Sequence, residues 1–258
     1  MFVRNFLMYF IFGSIFFSSI EARIEILHTF HELPTYFSRS SSPSDEILGI
    51  LDVDLVLTQP SDPAFQMATA NRYAPILQEL LQPLTKEQKH LLFHLLVTEN
   101  IPILIEEESP VIVKKLQSDF PIIALTGSGG VTLNLDEEVK FEEWRLNDLR
   151  RLGFDFSNAF PQSSLCLDGI LFSNGAENKG RVLINFLQEV KYKPHKIVFV
   201  DDLKENLESV EKILQETFSD IEFIGLYYVG ATNYPSQYVD ADLFRSKLQA
   251  VIEQTKKC

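Results

Sequence analysis

Short apolar runs without alternation recur along the chain and are separated by longer stretches with helical spacing. The runs fall at residues 46–54, 121–125, 195–202 and 221–229. Uninterrupted apolar runs of this length are typical of strands buried on both faces, as in a parallel sheet. A shorter run at 169–175 predicts another strand or one arm of a hairpin.

Between these runs, apolar residues recur every three or four positions, which predicts helices. Thr85, followed three residues later by Gln88, predicts a capped helix start, and Pro110 suits a first helical turn. Strands that alternate with helices predict an α/β fold with a parallel sheet and helices on both faces, which is a three-layer sandwich. The predicted helices cover 71–81, 86–97, 109–118, a charged stretch at 136–152, a segment starting near Lys179, 204–216 and 241–257.

The N-terminus has a different composition from the rest of the chain. A basic lead with Arg4, an apolar run to about Phe17 and a small, polar stretch ending at Ala22 predict a signal peptide over residues 1–22. The alternatives are an uncleaved membrane anchor and a buried helix. Residues 23–45 predict an N-terminal extension, a strand or helix on the surface, and a serine-rich linker, so the main domain is expected over 46–258.

The net charge limits the kinds of binding partner, and the cysteine content limits the number of disulfides. The formal net charge is −13, which disfavours nucleic acid and anionic membranes because both would repel the chain. We therefore expect no nucleic-acid partner and no stable membrane insertion of the mature chain. Only Cys166 and Cys258 are present. They could pair in an oxidising compartment, but two thiols do not form a disulfide framework.

Polar side chains follow three of the predicted buried strands. Asp52 and Asp54 follow the first, Thr126 the second, and Asp201 and Asp202 the third. The carboxyl ends of parallel strands share one edge of a sheet, so we expect these residues to converge there. Clustered carboxylates repel each other unless a cation binds, and an all-oxygen ligand set favours a hard ion such as Mg²⁺.

The same residue types suit phosphoryl transfer. An aspartate can act as a nucleophile, and a second aspartate two residues later could protonate the leaving oxygen and then activate water. Thr126 and the backbone amides of Gly127 and Ser128 could bind phosphate oxygens. Lys179, at a predicted helix start, could neutralise the nucleophile and the phosphate.

Four motifs in this order resemble those of the haloacid dehalogenase (HAD) superfamily. They are ILDVDLVL, IIALTG, NKGRVL and IVFVDDLKEN, and they span residues 48–206. Within the superfamily the chain resembles the exported acid phosphatases and, more closely, an uncharacterised group of exported bacterial HAD-like proteins. The resemblance implies a Rossmann-like core, Mg²⁺, hydrolysis of a small phosphomonoester, and location in the periplasm or outside the cell.

Carried over to this chain, the resemblance makes Asp52 the nucleophile and Asp54 the general acid/base. Thr126 would bind phosphate, and Lys179 would stabilise the charge. The metal would be held by Asp52, the backbone carbonyl of Asp54, and Asp201, with Asp202 as a second ligand or an outer partner. Residues 59–120 lie where the family often inserts a cap, and their helical pattern suits a cap-like insertion.

Several observations keep other interpretations open. Leu55 stands where many members have glycine or a polar residue, which leaves a non-catalytic HAD-like binding protein as the alternative function. Taken alone, Asp52 and Asp54 also suit solvated carboxylates at a turn. His90 and His94 have the spacing of helical zinc ligands, but Leu91 replaces the glutamate of that motif, so we expect a structural role.

Overall fold

The computed structural model describes residues 23–38, 46–134, 138–160, 163–175 and 178–256. The predicted signal peptide and Cys258 lie outside these ranges, as do residues 39–45 of the linker. Leader cleavage and cysteine pairing therefore stay predictions. Within the described ranges, no helix is both long and apolar enough to cross a membrane.

A seven-stranded sheet forms the centre of the described part of the chain. The strands, including those of two small hairpins, are β1 (Arg23–Leu27), β2 (Ile47–Leu51), β3 (Thr58–Pro60), β4 (Pro102–Leu104), β5 (Ile122–Thr126), β6 (Thr132–Asn134), β7 (Glu138–Lys140), β8 (Cys166–Leu167), β9 (Ile170–Phe172), β10 (Lys196–Asp201) and β11 (Glu222–Tyr228). The sheet order is β1-β11-β10-β2-β5-β9-β8. Only the edge strand β8 pairs antiparallel within this sheet. The predicted parallel sheet is confirmed.

Helices connect the strands and cover both faces of the sheet. They are α1 (Met67–Arg72), α2 (Ala74–Leu81), α3 (Lys86–Glu99), α4 (Ser109–Gln117), α5 (Phe141–Arg151), α6 (Lys179–Glu189), α7 (Lys204–Thr217) and α8 (Ala241–Thr255), with 3₁₀ helices at Phe30–Tyr36 and Pro63–Phe65. The predicted capping box at Thr85 and Gln88 is present at the start of α3. Pro110 lies in the first turn of α4, as predicted.

Two hydrophobic cores lie on opposite faces of the sheet because successive strand residues point in opposite directions. Ile47 and Leu51 of β2 enter the first core with side chains of α4, α5 and the 3₁₀ helix Phe30–Tyr36. Leu48 and Ile50 enter the second core with side chains of α6 and α7. The α/β class with helices on both faces, predicted from the sequence, is therefore confirmed.

The segment after β2 forms a separate helical lobe. Strands β3 and β4 pair antiparallel at its base, and α2 and α3 pack with α8 around a third apolar cluster. Tyr73 stacks on Phe244 of α8 at 5.3 Å between ring centroids and donates a hydrogen bond to Val239 O at 2.7 Å. The range predicted for the insertion, 59–120, also contains α4, whose Val113 and Leu116 pack into the first core of the sheet.

Three local predictions were wrong. Residues 23–37 are not a surface segment, because β1 pairs with β11 and both Phe30 and Leu33 are fully buried. The charged helix begins at Phe141 rather than at residue 136, since Glu138–Lys140 pairs with β6. The predicted helix 71–81 breaks at Tyr73, where α1 ends and Pro75 begins a new first turn.

Candidate metal and phosphate site

The sheet order brings the ends of three predicted motifs together. Strand β2 lies between β10 and β5, and the three strands run parallel. Asp52 follows β2 directly, and its backbone N–H donates to Val200 O of β10 at 2.9 Å. Asp201 ends β10 and Thr126 ends β5. These side chains consequently lie at the carboxyl edge of the sheet, where α/β proteins bind ligands.

Three carboxylates form a compact group at this edge. Asp52, Asp201 and Asp202 each offer an oxygen, and these oxygens all lie within 4.8 Å of one another. Asp52 and Asp201 are buried, and Asp202 is partly exposed. The Lys179 ammonium lies between the first two, with Nζ 2.8 Å from Asp52 Oδ2 and 2.7 Å from Asp201 Oδ2. Helix α6 therefore begins with a buried cation directed at the acids.

The electrostatics of this group favour an additional cation. Burial raises the pKa of Asp52 well above its ordinary value, and the charges of Asp201 and Asp202 oppose the lowering effect of Lys179. Burial, together with Asp201, raises the pKa of Asp202 to about 7. Burial alone would lower the pKa of Lys179, but Asp52 and Asp201 raise it above its ordinary value. One ammonium faces three carboxylates, so the group is short of positive charge.

A hard divalent ion fits the residues that are present. The donor atoms are all carboxylate oxygens, which Mg²⁺ prefers, and Mg²⁺ sites often use one or two carboxylates together with water or phosphate. Asp201 is also oriented independently of any metal. Its Oδ1 accepts from Leu203 N at 2.9 Å and from Asn206 Nδ2 at 2.9 Å. Such fixed carboxylates can serve as ligands without losing side-chain freedom on binding.

Asp54 lies beside this group but has different partners. Its Oδ1 accepts from Arg145 Nη2 at 2.6 Å, and its Oδ2 accepts from Thr126 Oγ1 at 3.3 Å. Its carboxylate does not join the three-acid group found among the described residues. Leu55 follows in a left-handed conformation with φ of +63°, which costs a non-glycine residue about 1–2 kcal/mol. Leu55, which stands where many HAD members have glycine or a polar residue, thus lies in a strained turn.

The turn after β5 is held in place from several sides. Thr126 Oγ1 lies 2.8 Å from Ser128 Oγ and also accepts from Ser128 N at 3.3 Å. Gly129 has φ of +114°, and a Cβ there would meet Asn174 Oδ1 at 2.4 Å, so this position requires glycine. Gly127 borders the acid group, because a Cβ added to it would lie 3.9 Å from Lys179 Cε.

The two histidines of α3 also hold this turn. His94 Nε2 accepts from Gly129 N at 3.1 Å, which places its ring proton on Nδ1, 2.7 Å from His90 O. His90 Nε2 then donates to Gly129 O at 3.0 Å. Burial lowers the pKa of His94 to about 4, consistent with a neutral ring that accepts a backbone proton. The helical lobe is therefore hydrogen-bonded to the turn that carries Thr126.

Sequence reasoning found the acids, Thr126 and Lys179 but missed two residues of α5. Arg145 is completely buried and pairs with Asp54. Glu142 accepts from Gly130 N at 2.7 Å and so also holds the turn after β5. Both lie in a charged stretch that predicts a solvated helical face. Arg145 stands four residues after Phe141, but Arg150 stands four residues after Leu146, so this spacing does not show which arginine faces inward.

Fold and site together define an α/β protein with a candidate divalent-cation site at the carboxyl edge of its sheet. The chain belongs to the family described as Protein of unknown function (DUF2608), which matches residues 27–255. It is 28% identical over 203 residues to an uncharacterized protein of Rickettsia bellii (strain RML369-C), covering 71% of this chain and 68% of the relative. An uncharacterized protein of Rickettsia felis (strain ATCC VR-1525 / URRWXCal2) is 29% identical over 201 residues, with 70% and 67% covered.

Proposed function

We propose that the chain is a Mg²⁺-dependent phosphomonoester hydrolase of the HAD type that works through an aspartyl-phosphate. The observation that most supports this proposal is the group formed by Asp52, Asp201, Asp202 and Lys179. It combines a buried candidate nucleophile, a ligand set for a hard cation and a fixed positive charge. The hydroxyl of Thr126 and the adjoining turn add hydrogen-bond donors at the same edge of the sheet.

In the proposed reaction, a carboxylate oxygen of Asp52 attacks the phosphorus atom and the bond to the ester oxygen breaks. Asp54 gives its proton to the departing alcohol. Asp54, now a carboxylate, takes a proton from a water molecule, which attacks the phosphorus atom and releases inorganic phosphate with free Asp52. The proton balance closes over the two steps, because Asp54 gives up one proton in the first step and takes one from water in the second.

The other residues of the site contribute charge and hydrogen bonds. Lys179 lies within contact distance of Asp52 and would offset the charge that the carboxylate and the phosphoryl group bring together. Thr126 and the backbone amide of Gly127 would donate to phosphoryl oxygens, whereas the amides of Ser128, Gly129 and Gly130 already donate within the protein. A bound Mg²⁺, held by Asp52, Asp201 and Asp202 with the backbone carbonyl of Asp54, would neutralise phosphoryl charge.

The substrate class and location extend the same proposal. A lobe built from α2, α3 and α8, joined to the turn after β5 by His90 and His94, would act as a cap and limit the size of the substrate. We therefore propose a small phosphorylated molecule as substrate. The predicted leader over residues 1–22 supports export to the periplasm or the medium.

One observation favours the alternative, a non-catalytic HAD-like binding protein. Asp54 is engaged on both oxygens, and the Arg145 guanidinium at 2.6 Å occupies one of them. In a non-catalytic protein these contacts would only hold the turns together, and no proton would pass through Asp54. A protein that binds phosphate or a phosphorylated ligand without cleaving it would keep the rest of the site.

The proposal is tested by phosphate release. Purified residues 23–258 should release inorganic phosphate from a broad panel of phosphomonoesters when Mg²⁺ is present, and chelation by EDTA should stop the release. We expect turnover numbers in the usual range of about 1–10³ s⁻¹ for the preferred ester. Binding of phosphate esters without release from any of them would favour the non-catalytic alternative.

A further inference from the structure

Arg145 is a buried guanidinium directly beside the proposed general acid/base. Its side chain has no exposed surface, and its Nη2 lies 2.6 Å from Asp54 Oδ1. The rings of Phe141 and Trp144 flank it, with centroids 5.1 and 5.2 Å from Cζ. These aromatic neighbours on α5 restrict the guanidinium to one orientation.

The remaining donors of Arg145 argue against a purely structural role. Its Nε and Nη1 are buried and have no hydrogen-bond partner among the described residues. Asp148 Oδ2 lies 4.0 Å from Nη1, and Asp148 instead accepts from Arg151 Nη2 at 2.6 Å through its Oδ1. A buried ion pair with unmet donors is weak evidence for a stabilising role, because replacing both partners with apolar residues is often neutral. Its position beside Asp54 is then the property that distinguishes it.

Asp54 also contacts Thr126 and, through it, the turn after β5. Thr126 Oγ1 donates to Asp54 Oδ2 at 3.3 Å, while Ser128 approaches Thr126 Oγ1 with its own hydroxyl at 2.8 Å. Arg145 and Thr126 therefore contact different oxygens of one carboxylate. Two contacts of this kind fix both the position of the carboxylate and the rotation of its plane.

We propose that Arg145 is a positioning residue that orients the carboxyl group of Asp54 for proton transfer to the leaving group. The proposal rests on the hydrolase function given above. Arg145 contacts neither the three-acid group nor Lys179 in the described contacts, so its effect passes through Asp54. Loss of Arg145 should accordingly impair the proton-transfer step and spare the steps that depend on Asp52 and the cation.

The choice of leaving group separates these effects. An alkyl alcohol needs a proton to depart, whereas 4-nitrophenolate leaves readily without one. We expect Arg145→Gln to lower kcat/KM about 100-fold for an alkyl phosphate such as glycerol 2-phosphate, and by less than about fivefold for 4-nitrophenyl phosphate. Arg145→Lys keeps the charge but not the planar guanidinium. Its kcat/KM for the alkyl phosphate should be about tenfold higher than that of Arg145→Gln.

A double variant tests whether Arg145 acts through Asp54. Asp54→Asn should show the same dependence on the leaving group, and Arg145→Gln with Asp54→Asn should lose no more than Asp54→Asn alone. Arg150→Gln on the same helix is the matched control, because its partner Asp168 lies at the surface, and it should keep wild-type values. Circular dichroism shows whether each variant is folded. If Arg145→Gln is not folded, Arg145→Lys is used for the test instead.

The outcomes distinguish this proposal from the proposed function. Equal losses for both esters, or losses that multiply in the double variant, would overturn the positioning role while leaving the hydrolase intact. A wild-type protein that releases phosphate from no ester of the broad panel, these two included, would overturn the hydrolase function and the role of Arg145 with it. The proposal is supported if the loss is confined to the alkyl ester and if adding Arg145→Gln to Asp54→Asn causes no further loss.

Discussion

Replacing Asp52 with asparagine should abolish Mg²⁺-dependent phosphate release, with a fall in kcat of about 10⁴-fold or more. The amide cannot form the aspartyl-phosphate, and it removes one of three oxygen ligands. The fold should survive, because Lys179 keeps its 2.7 Å contact with Asp201. The burial that raises the pKa of Asp52 also indicates that its charge is held at a cost in the native state. Steady-state release of phosphate from the best ester of the panel measures the effect.

Asp220→Asn is the matched control for this change. Asp220 is an exposed carboxylate that pairs with a lysine, Lys193, at 2.7 Å, so the same chemical substitution breaks a similar contact far from the acid group. Its activity should equal that of the wild type. If Asp52→Asn retained more than about a tenth of the wild-type turnover, Asp52 would not be the nucleophile.

Lys179→Met should produce the largest loss of stability. The side chain is 5% exposed and is the common partner of Asp52 and Asp201, so its removal leaves two buried carboxylates without a counter-charge. Removing one partner of a buried ion pair typically lowers the free energy of unfolding by about 3–5 kcal/mol. Urea denaturation at neutral pH without divalent cations measures this loss, and methionine retains most of the volume of the lysine stem.

Added Mg²⁺ should reverse part of the loss, and by more than it stabilises the wild type, because the variant site has three acids and no ammonium. Lys193→Met, which removes an exposed lysine from Asp220, should change the free energy of unfolding by less than about 1 kcal/mol. A Lys179→Met protein as stable as the wild type, or one indifferent to Mg²⁺, would contradict the described charge arrangement.

Local sequence patterns were sufficient for much of the sheet and for the acids at its edge. The apolar runs that became β2, β5 and β10 are buried on both faces, so their composition alone indicates central parallel strands. The strand ends then place Asp52, Thr126 and Asp201 at one edge without any knowledge of distant contacts. Lys179 was predictable because the start of α6 is marked by Asn178, which caps it.

Features that depend on contacts between distant segments were not predictable in this way. The helix α5 has mainly charged residues, and nothing local distinguishes Arg145, which is buried, from Arg150, which is 42% exposed. Its burial follows from the approach of Asp54, 91 positions earlier in the chain. Packing of α8 on α2 and α3 likewise depends on pairs such as Tyr73 and Phe244, which no periodicity connects.

The burial of residues 23–37 was also not predictable from local sequence. Residues 23–37 contain as many polar as apolar positions, which predicts a surface location. Burial of Phe30 depends on Glu106, which accepts from Phe30 N at 3.0 Å and from Tyr228 Oη at 2.6 Å. A single partly buried carboxylate thus joins this segment to the end of β11 by hydrogen bonds, and its effect is not visible in either segment alone.

The account depends most on a divalent cation shared by acids that follow separate strands. Titration of the metal-free protein with Mn²⁺, a hard ion that reports its binding by electron paramagnetic resonance, tests this directly. We expect one bound ion per chain that Mg²⁺ displaces, with affinity lost in Asp201→Asn and unchanged in Asp220→Asn. Absence of binding, or equal binding by Asp201→Asn and the wild type, would contradict the account.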